Sequence, residues 1–280
     1  MKPSNIRIVT DSSSDLLELP GIGFASAPLK IITAQREYID NRELDVARAL
    51  KELAAYHGRS STSCPGPGDW LDAFGDAEEI FCVTITSSLS GSCSAACVAR
   101  EQYLREHPNR RVQIIDSLSV GPEMQLLIEK IRDCVLAGCD FAQTCAAAAA
   151  YRQKTRLLFL LESMKNLANN GRIKHITAKA AGLLGIRAIG RASDHGTLEM
   201  LDKARGEKRA LRAMAEQMFR LGHRTGAVRI GHCGSPDAAR ALKELIQHRA
   251  PQARITLYPC RSLCSFYAEQ GGLLVGFEAV

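Results

Sequence analysis

Hydroxyl side chains gathered beside a glycine are the first feature of this sequence with the means to do chemistry. Residues 79–96, EIFCVTITSSLSGSCSAA, begin as an apolar run over 80–85 and then break into Thr86, Ser87, Ser88, Ser90 and Ser92. The run predicts a strand. Gly91 permits a tight turn, and Ser92 is placed to cap a helix that continues through Ala96. A strand feeding a Ser/Gly loop and then a helix N-terminus offers N–H groups and hydroxyls to an anion above the sheet edge. Taken by itself, this stretch is better explained as a capped turn with solvated serines. A second hydroxyl run, Ser60-Ser61-Thr62-Ser63, also precedes a helix and tips the balance towards an anion site. Thr62, Ser63, Ser87, Ser90, Gly91 and Ser92 of these two stretches are the candidates.

Other chemistries fit less well. Serine hydrolysis needs a nucleophile, a base and an oxyanion hole. Ser90 and Ser92 flank Gly91, but Ser88 stands where Gly-x-Ser-x-Gly would need its first glycine. His195, His223, His232 and His248 are all available as the base, with no spacing to prefer one. Gly21-Ile22-Gly23 lacks the third glycine of a dinucleotide fingerprint, and no Gly-x-x-x-x-Gly-Lys is present. Arg172, directly after the turn Asn169-Asn170-Gly171, reads either as a surface residue or as a bidentate carboxylate contact. Tyr267 reads either as a buried aromatic with a satisfied hydroxyl or as a head-group ligand. The basic segment 203–212 reads as a solvated helix face or a docking surface; Arg205 and Lys208 belong to it.

The ten cysteines contain no Cys-x-x-Cys, and Cys93/Cys97 and Cys260/Cys264 lack a histidine pattern to complete a metal site. Cys82, Cys93, Cys97, Cys134 and Cys233 fall among apolar residues and are expected to be reduced core thiols. No metal or cofactor is expected. The net charge of +6 is spread along the chain rather than blocked, which does not call for nucleic acid. No apolar run is long enough to span a bilayer, and the chain enters a strand within its first residues, so a cytoplasmic protein without a signal peptide is expected.

The elements that must position these residues alternate. Strands are predicted over 6–10, 25–33, 37–39, 80–85 and 112–116. Helices are predicted after Asp45, over 92–107 and 121–137, and after Asp140, with an irregular loop over 57–68. Three of the strands end in an acid or hydroxyl loop: Asp11–Asp15, Thr86–Ser92 and Asp116–Ser119. This recurrence predicts a parallel sheet with helices on both sides. Trp70 and Phe74, four apart, are expected to pack inward. After about Gln153 the texture changes. Strands over 156–161, 186–191, 197–203, 227–232, 255–258 and 272–277 mix with helices over 163–169, 177–184, 207–221 and 237–248. The expected fold class is α/β. A Rossmann-like parallel-sheet domain over 1–153 precedes a smaller α+β domain with a mixed sheet over 154–280.

In order along the chain these motifs resemble those of the DegV family, whose fatty-acid-kinase members are called FakB. Ile8-Val9-Thr10-Asp11-Ser12-Ser13-Ser14-Asp15 is similar to the family's opening strand and Thr-Asp-Ser motif. Thr62-Ser63-Cys64-Pro65-Gly66 resembles its Thr-Ser-Gln-Pro-Ser, with Cys64 for glutamine and Gly66 for serine. Ile85-Thr86-Ser87-Ser88-Leu89-Ser90-Gly91-Ser92 resembles its Ile-Ser-Ser-x-Leu-Ser-Gly-Thr. Asp116-Ser117, Asn170-Gly171-Arg172-Ile173 and the basic residues from Lys203 to Leu211 follow in the family's order.

The resemblance implies a two-domain fold that binds one long-chain fatty acid between the domains. It also implies that the carboxylate is presented to a separate ATP-binding fatty acid kinase subunit, which forms the acyl phosphate. It assigns Thr62 and Ser90 to the carboxylate, with Arg172 nearby, and no catalysis to the chain itself. The family's C-terminal His-Thr-Gly-Pro-Gly turn is replaced here by Tyr267-Ala268-Glu269-Gln270-Gly271. A phenol donates a hydrogen bond to a carboxylate but brings no imidazolium charge. A serine hydrolase or acyltransferase, and a non-enzymatic lipid-binding regulator, remain the alternatives.

Overall fold

The computed structural model describes residues 5–173 and 185–279. In chain order the elements are β1 (Ile6–Asp11), β2 (Gly23–Ala27), β3 (Lys30–Ile32), β4 (Glu37–Ile39), α1 (Val46–Ala55), β5 (Ser61–Ser63), α2 (Pro67–Phe74), β6 (Glu79–Thr84), α3 (Ser92–Glu106), β7 (Arg111–Asp116), α4 (Pro122–Leu136) and α5 (Phe141–Arg152). Then follow β8 (Thr155–Leu161), α6 (Lys165–Asn169), β9 (Ile186–Ala192), β10 (Leu198–Arg205), α7 (Glu207–Arg220), β11 (Ala227–His232), α8 (Pro236–Arg249), β12 (Arg254–Pro259), α9 (Ser262–Ala268) and β13 (Leu273–Glu278).

The first sheet is parallel, in the order β2-β1-β6-β7, and is buried on both faces as such sheets must be. Alternate residues of one strand go to opposite sides. Ile8, Phe81 and Val83 meet α4 through Met124, Leu127 and Ile128. Val9, Ile80 and Cys82 meet α2 and α3 through Trp70, Phe74, Ala96 and Ala99. The second sheet is mixed, in the order β10-β9-β8-β13-β11-β12. One of its faces is covered by α7 and α8, where Leu158, Leu160, Val228, Val275 and Phe277 form a core with Leu211, Met214, Met218, Leu242 and Ile246. Its other face looks towards the first sheet. An α/β fold with a parallel sheet and a separate mixed sheet is what the residue pattern predicts.

Helix α4 joins the two. Its residues from Pro122 to Ile128 are all buried, and it packs against β13 as well as against the parallel sheet. The contact is close because residue 276 is glycine: a Cβ there would collide with the main chain of Pro122 and Glu123. A bidentate ion pair from Arg229 of β11 to Glu129 of α4, at 3.1 and 2.6 Å, closes the same seam.

Several expectations need correction. The single strand over 25–33 is two strands in two different sheets. The chain breaks at Pro28, which has no N–H to donate, and the Leu29 N–H turns aside to the Ser12 hydroxyl at 3.0 Å. The supposed irregular loop contains β5, because residues 61–63 pair with β3 ahead of the prolines; β4-β3-β5 form a small antiparallel sheet. Tyr267 and Ala268 end a helix, α9, that the residue pattern does not predict, and the expected turn begins only after it, at Glu269–Gly271. Ser92 does not cap α3: Gly91 does, and the Ser92 hydroxyl points elsewhere. Cys82, Cys134 and Cys233 are buried as expected, but Cys93 is half-buried and Cys97 exposed, because α3 turns them off its core face. The helix expected over 177–184 lies outside the described residues.

Gly276→Ala is expected to cost about 3 kcal/mol, an overpacking penalty at a main-chain contact. Melting should fall by roughly 6–12 °C, whereas Gly68→Ala, inside α2 where a Cβ meets nothing, should leave it level or raise it slightly, because Ala is the better helix former. Equal melting of the two variants would show that α4 is not seated as described.

Candidate functional site

In an open parallel sheet, ligands gather beyond the strand C-termini where the strand order reverses. Here that point lies between β1 and β6, and Asp11 occupies it. Its Oδ1 accepts the Ser13 N–H at 3.2 Å, and its Oδ2 accepts the Ile85 N–H at 2.9 Å and the Ser92 hydroxyl at 2.6 Å. Complete burial pushes the Asp11 carboxyl up, against the pull of these donors. The effect is to fix the loop from Ile85 to Ser92 against the end of β1.

That loop delivers Ser90. Its Oγ accepts the Ser92 N–H at 3.2 Å, so its own proton is left to donate. Thr62 comes from the small sheet, paired with Ile31. Its Oγ1 lies 2.6 Å from the Tyr267 hydroxyl on α9. Burial raises the Tyr267 phenol, and Thr62 and the Arg172 charge oppose that less strongly, so the phenol stays protonated and able to donate. Arg172 is aimed by the end of α6. Its N–H bonds to Leu167 O at 2.9 Å and the Gly171 N–H to Ala168 O at 3.0 Å, with Gly171 at φ +70°. These bonds are a Schellman ending. One Nη of Arg172 is held by Asn170 O at 2.6 Å.

Thr62, Ser63, Ser90, Gly91, Arg172 and Tyr267 all border one cavity, of about 1030 Å³ with its mouth included. The rest of its wall is apolar. Leu157, Phe159 and Leu161 from alternate positions of β8 line it, with Leu274 of β13, Ile85, Val120 and Leu29. One polar corner on a long apolar cavity suits an amphiphile with an anionic head.

Two sequence candidates do not belong. Ser87 is exposed, with its N–H on the Asp116 carboxylate at 3.2 Å, and Ser92 is buried against Asp11. Cys64, Leu263 and Cys264 border the cavity and were not singled out as binding residues. Cys64 was legible only as the odd residue in its motif, and the other two needed the missed helix α9. No histidine hydrogen-bonds to Ser90 or Ser92 among the described residues; Ser90 accepts the Ser92 N–H and Ser92 donates to Asp11. Among the described residues there is no group of three or more His, Cys, Asp or Glu able to hold a metal, and no helix long and apolar enough to cross a membrane.

Behind the cavity wall sits a second buried carboxyl. Asp15 takes a left-handed conformation at φ 60°. Its Oδ1 accepts the Arg261 N–H at 2.9 Å, while Oδ2 is shut off from solvent without a hydrogen-bond partner. Burial, and then the nearby Asp40 charge, push this carboxyl up to about 7 against the Arg261 N–H and the Cys264 and Cys260 thiols.

With this geometry in view, comparison with known proteins is informative. The family model described as "Uncharacterised protein, DegV family" matches residues 5–279. A DegV domain-containing protein of Streptococcus pneumoniae is 40% identical over 276 residues, covering 97% of this chain and 98% of that protein. Among solved structures, the Streptococcus pneumoniae fatty acid kinase B3 protein loaded with linoleic acid aligns with a TM-score of 0.96 and 40% identity, over 99% of this chain and 100% of that one. A DegV family protein of Eubacterium eligens loaded with heptadecanoic acid aligns with a TM-score of 0.95 and 41% identity, over 98% and 100%.

Asp15 gives a pH test. Unfolded, the carboxyl ionises near 3.8; folded, near about 7. Between those values the folded state binds more protons, so its contribution to stability falls as pH rises through the window and levels off above it. Asp15→Asn cannot ionise, and Asn suits a left-handed backbone. Calorimetry should find the variant level with the wild type near pH 4 and a few degrees more stable near pH 8. Parallel curves would refute the assignment.

Proposed function

The chain belongs to the DegV family, and on that premise we propose that it binds one long-chain fatty acid in the cavity between its two sheets. The carboxylate is held by Thr62, Ser90, Arg172 and Tyr267. It is offered to a separate ATP-binding fatty acid kinase subunit, which makes the acyl phosphate. The observation that carries this reading is that a hydroxyl from the small sheet, one from the loop after β6, a phenol and a guanidinium border a single, otherwise apolar cavity.

A carboxylate taken out of water is costly without donors. In the bonded pair of Thr62 and Tyr267, one hydroxyl proton fills the bond between them and the other remains to donate outward. Ser90 adds a donor, and Arg172 adds the charge. A tail of a dozen methylenes gains roughly 10 kcal/mol gross from burial, offset by the cost of ordering it. The chain performs no catalysis of its own in this reading, needs no cofactor or metal, and works in the cytoplasm as two domains, 1–153 and 154–280.

Arg205 and Lys208 are proposed to dock the kinase. Both are exposed at the β10–α7 junction. Register supports this. Leu161 pairs with Ala188, and Ala188 with Lys203, so the junction lies at the same end of the second sheet as Leu161 and the α6 turn that aims Arg172.

Denaturing extraction of purified protein should release a fatty acid detectable by mass spectrometry. Thr62→Ala and Tyr267→Phe should each speed its release by about tenfold, the worth of one hydrogen bond to a charged group. Protein that emerges empty and takes up no acid of roughly 14 to 18 carbons, a length that would fill such a cavity, would sink the reading. Loaded protein on which no kinase subunit forms acyl phosphate would leave lipid binding without presentation.

A further inference from the structure

A second cavity lies on the same seam, and it is polar. It is bounded by Ser117 and Leu118 after β7, Glu123 in the first turn of α4, the α5–β8 connection from Arg152 to Arg156, and Ser193 and Asp194 at the tip of the β9–β10 hairpin. It holds about 770 Å³ with its mouth included. It continues the line of the first cavity. Thr155 faces the same side of β8 as Leu157, Phe159 and Leu161, and Leu118 stands two residues before Val120.

Two half-buried guanidiniums border it, and neither meets a carboxylate within salt-bridge distance among the described residues. Arg152 donates from Nη1 to Asp116 O at 2.6 Å, and Arg156 from Nη1 to Gln153 O at 2.7 Å and Thr155 O at 2.6 Å. These bonds fix both forks by the main chain. The Nε and Nη2 donors of each find no acceptor among the described residues. The Asp116 carboxylate is turned to the N–H groups of Ser87 and Leu118. The hydroxyls of Ser117 and Ser193 are engaged within their own turns. Asp194 is exposed to solvent.

Glu123 is the one buried charge in the wall. Its Oε1 accepts the Thr155 hydroxyl at 2.8 Å. Burial pushes its carboxyl up, while the Ser119 and Thr155 hydroxyls and then Arg156 and Arg152 pull the other way. Had the arginines served only to neutralise Glu123, direct pairing would answer its desolvation far better than charges held back by main-chain anchors. Of the two acids in the wall, Asp194 is exposed to solvent, so the buried part of the site sets one carboxyl against two guanidiniums with unused donors.

We propose that this cavity binds a small phosphate-class oxyanion, gripped by the free edges of Arg152 and Arg156, with Glu123 meeting its proton-bearing oxygen. Two planar forks suit a tetrahedral oxyanion better than a carboxylate lone in the site. The ligand would lie where both sheets and the hairpin tip meet. The site stands apart from the fatty-acid reading and does not depend on it.

The test is calorimetric titration of the full chain with inorganic phosphate and, separately, with glycerol phosphate, at constant ionic strength in chloride buffer. Saturable binding in the roughly millimolar range or tighter is expected, weakened at least about tenfold in Arg152→Gln/Arg156→Gln. Arg156→Lys, which keeps the charge but loses the fork, should fall between. Tighter binding of glycerol phosphate assigns the site to a phosphate monoester, and tighter binding of phosphate to the free ion. If the double variant fails to melt cooperatively, Arg156→Gln alone is read. No saturable heat with either probe, or heats unchanged by the substitutions, would overturn the proposal.

Discussion

A single carboxylate organises the polar end of this molecule. Asp11 ends β1 at the point where the strand order reverses, and it is cut off from water. Burial at that point is tolerable only because donors arrive from three segments: the turn after β1, the end of β6, and the first residue of α3. The residue therefore does in the protein interior what a ligand's head group would do above the sheet, drawing N–H and O–H groups from the same loops to one place. With the loop after β6 pinned by Ser92, Ser90 two residues earlier is left facing the cavity.

The cavity follows from how the sheets meet. The parallel sheet is closed on both faces by helices, and its C-terminal edge is covered only in part, where α9 meets the turn after β1. The second sheet is closed on one face by α7 and α8 and only in part on the other, by α4, α6 and α9. Edge and open face are turned towards each other, and α4, seated on Gly276, sets their separation. Where the apolar residues of β8 and β13 cannot reach across, space remains. The long helix α4 thus serves two cores at once, which explains why one entire turn of it shows no solvent-facing residue. Local packing and the cavity are set by the same contact.

Much of this was legible in the residues. Strands that alternate with helices and end in hydroxyl loops imposed the parallel sheet. The triplet Asn169-Asn170-Gly171 fixed the turn that aims Arg172, since only a residue without a Cβ takes φ +70° at no steric cost. Elsewhere the local pattern was outvoted by distant partners. Residues 61–63 became a strand only because β3 lies beside them. Residues 262–268 form a helix whose hydrophobic side is spent on two different clusters, Leu263 and Phe266 against the small sheet and Cys264 and Ala268 against the second, so no single apolar stripe advertised it. Ser92 looked like a cap because a serine before a helix usually is one; here it lies inside the first turn, and its hydroxyl donates to the buried Asp11 carboxylate.

The same competition bears on the residue that departs from the family's motif. A histidine beside the hydroxyls could share the burden of a carboxylate's charge. Tyr267 cannot, because a protonated phenol is neutral, and burial holds it in that form. Its bond to Thr62 ties α9 to the small sheet across 205 residues of sequence, so the gain is in placement rather than in charge. The positive charge at this corner then falls to Arg172, one of whose nitrogens is already committed to Asn170 O. That commitment is an advantage: a guanidinium fixed by its own turn loses little further freedom on meeting an anion. In the proposed reading, a neutral phenol and a pre-aimed arginine together replace an imidazolium, and the α6 turn is what keeps the arginine aimed.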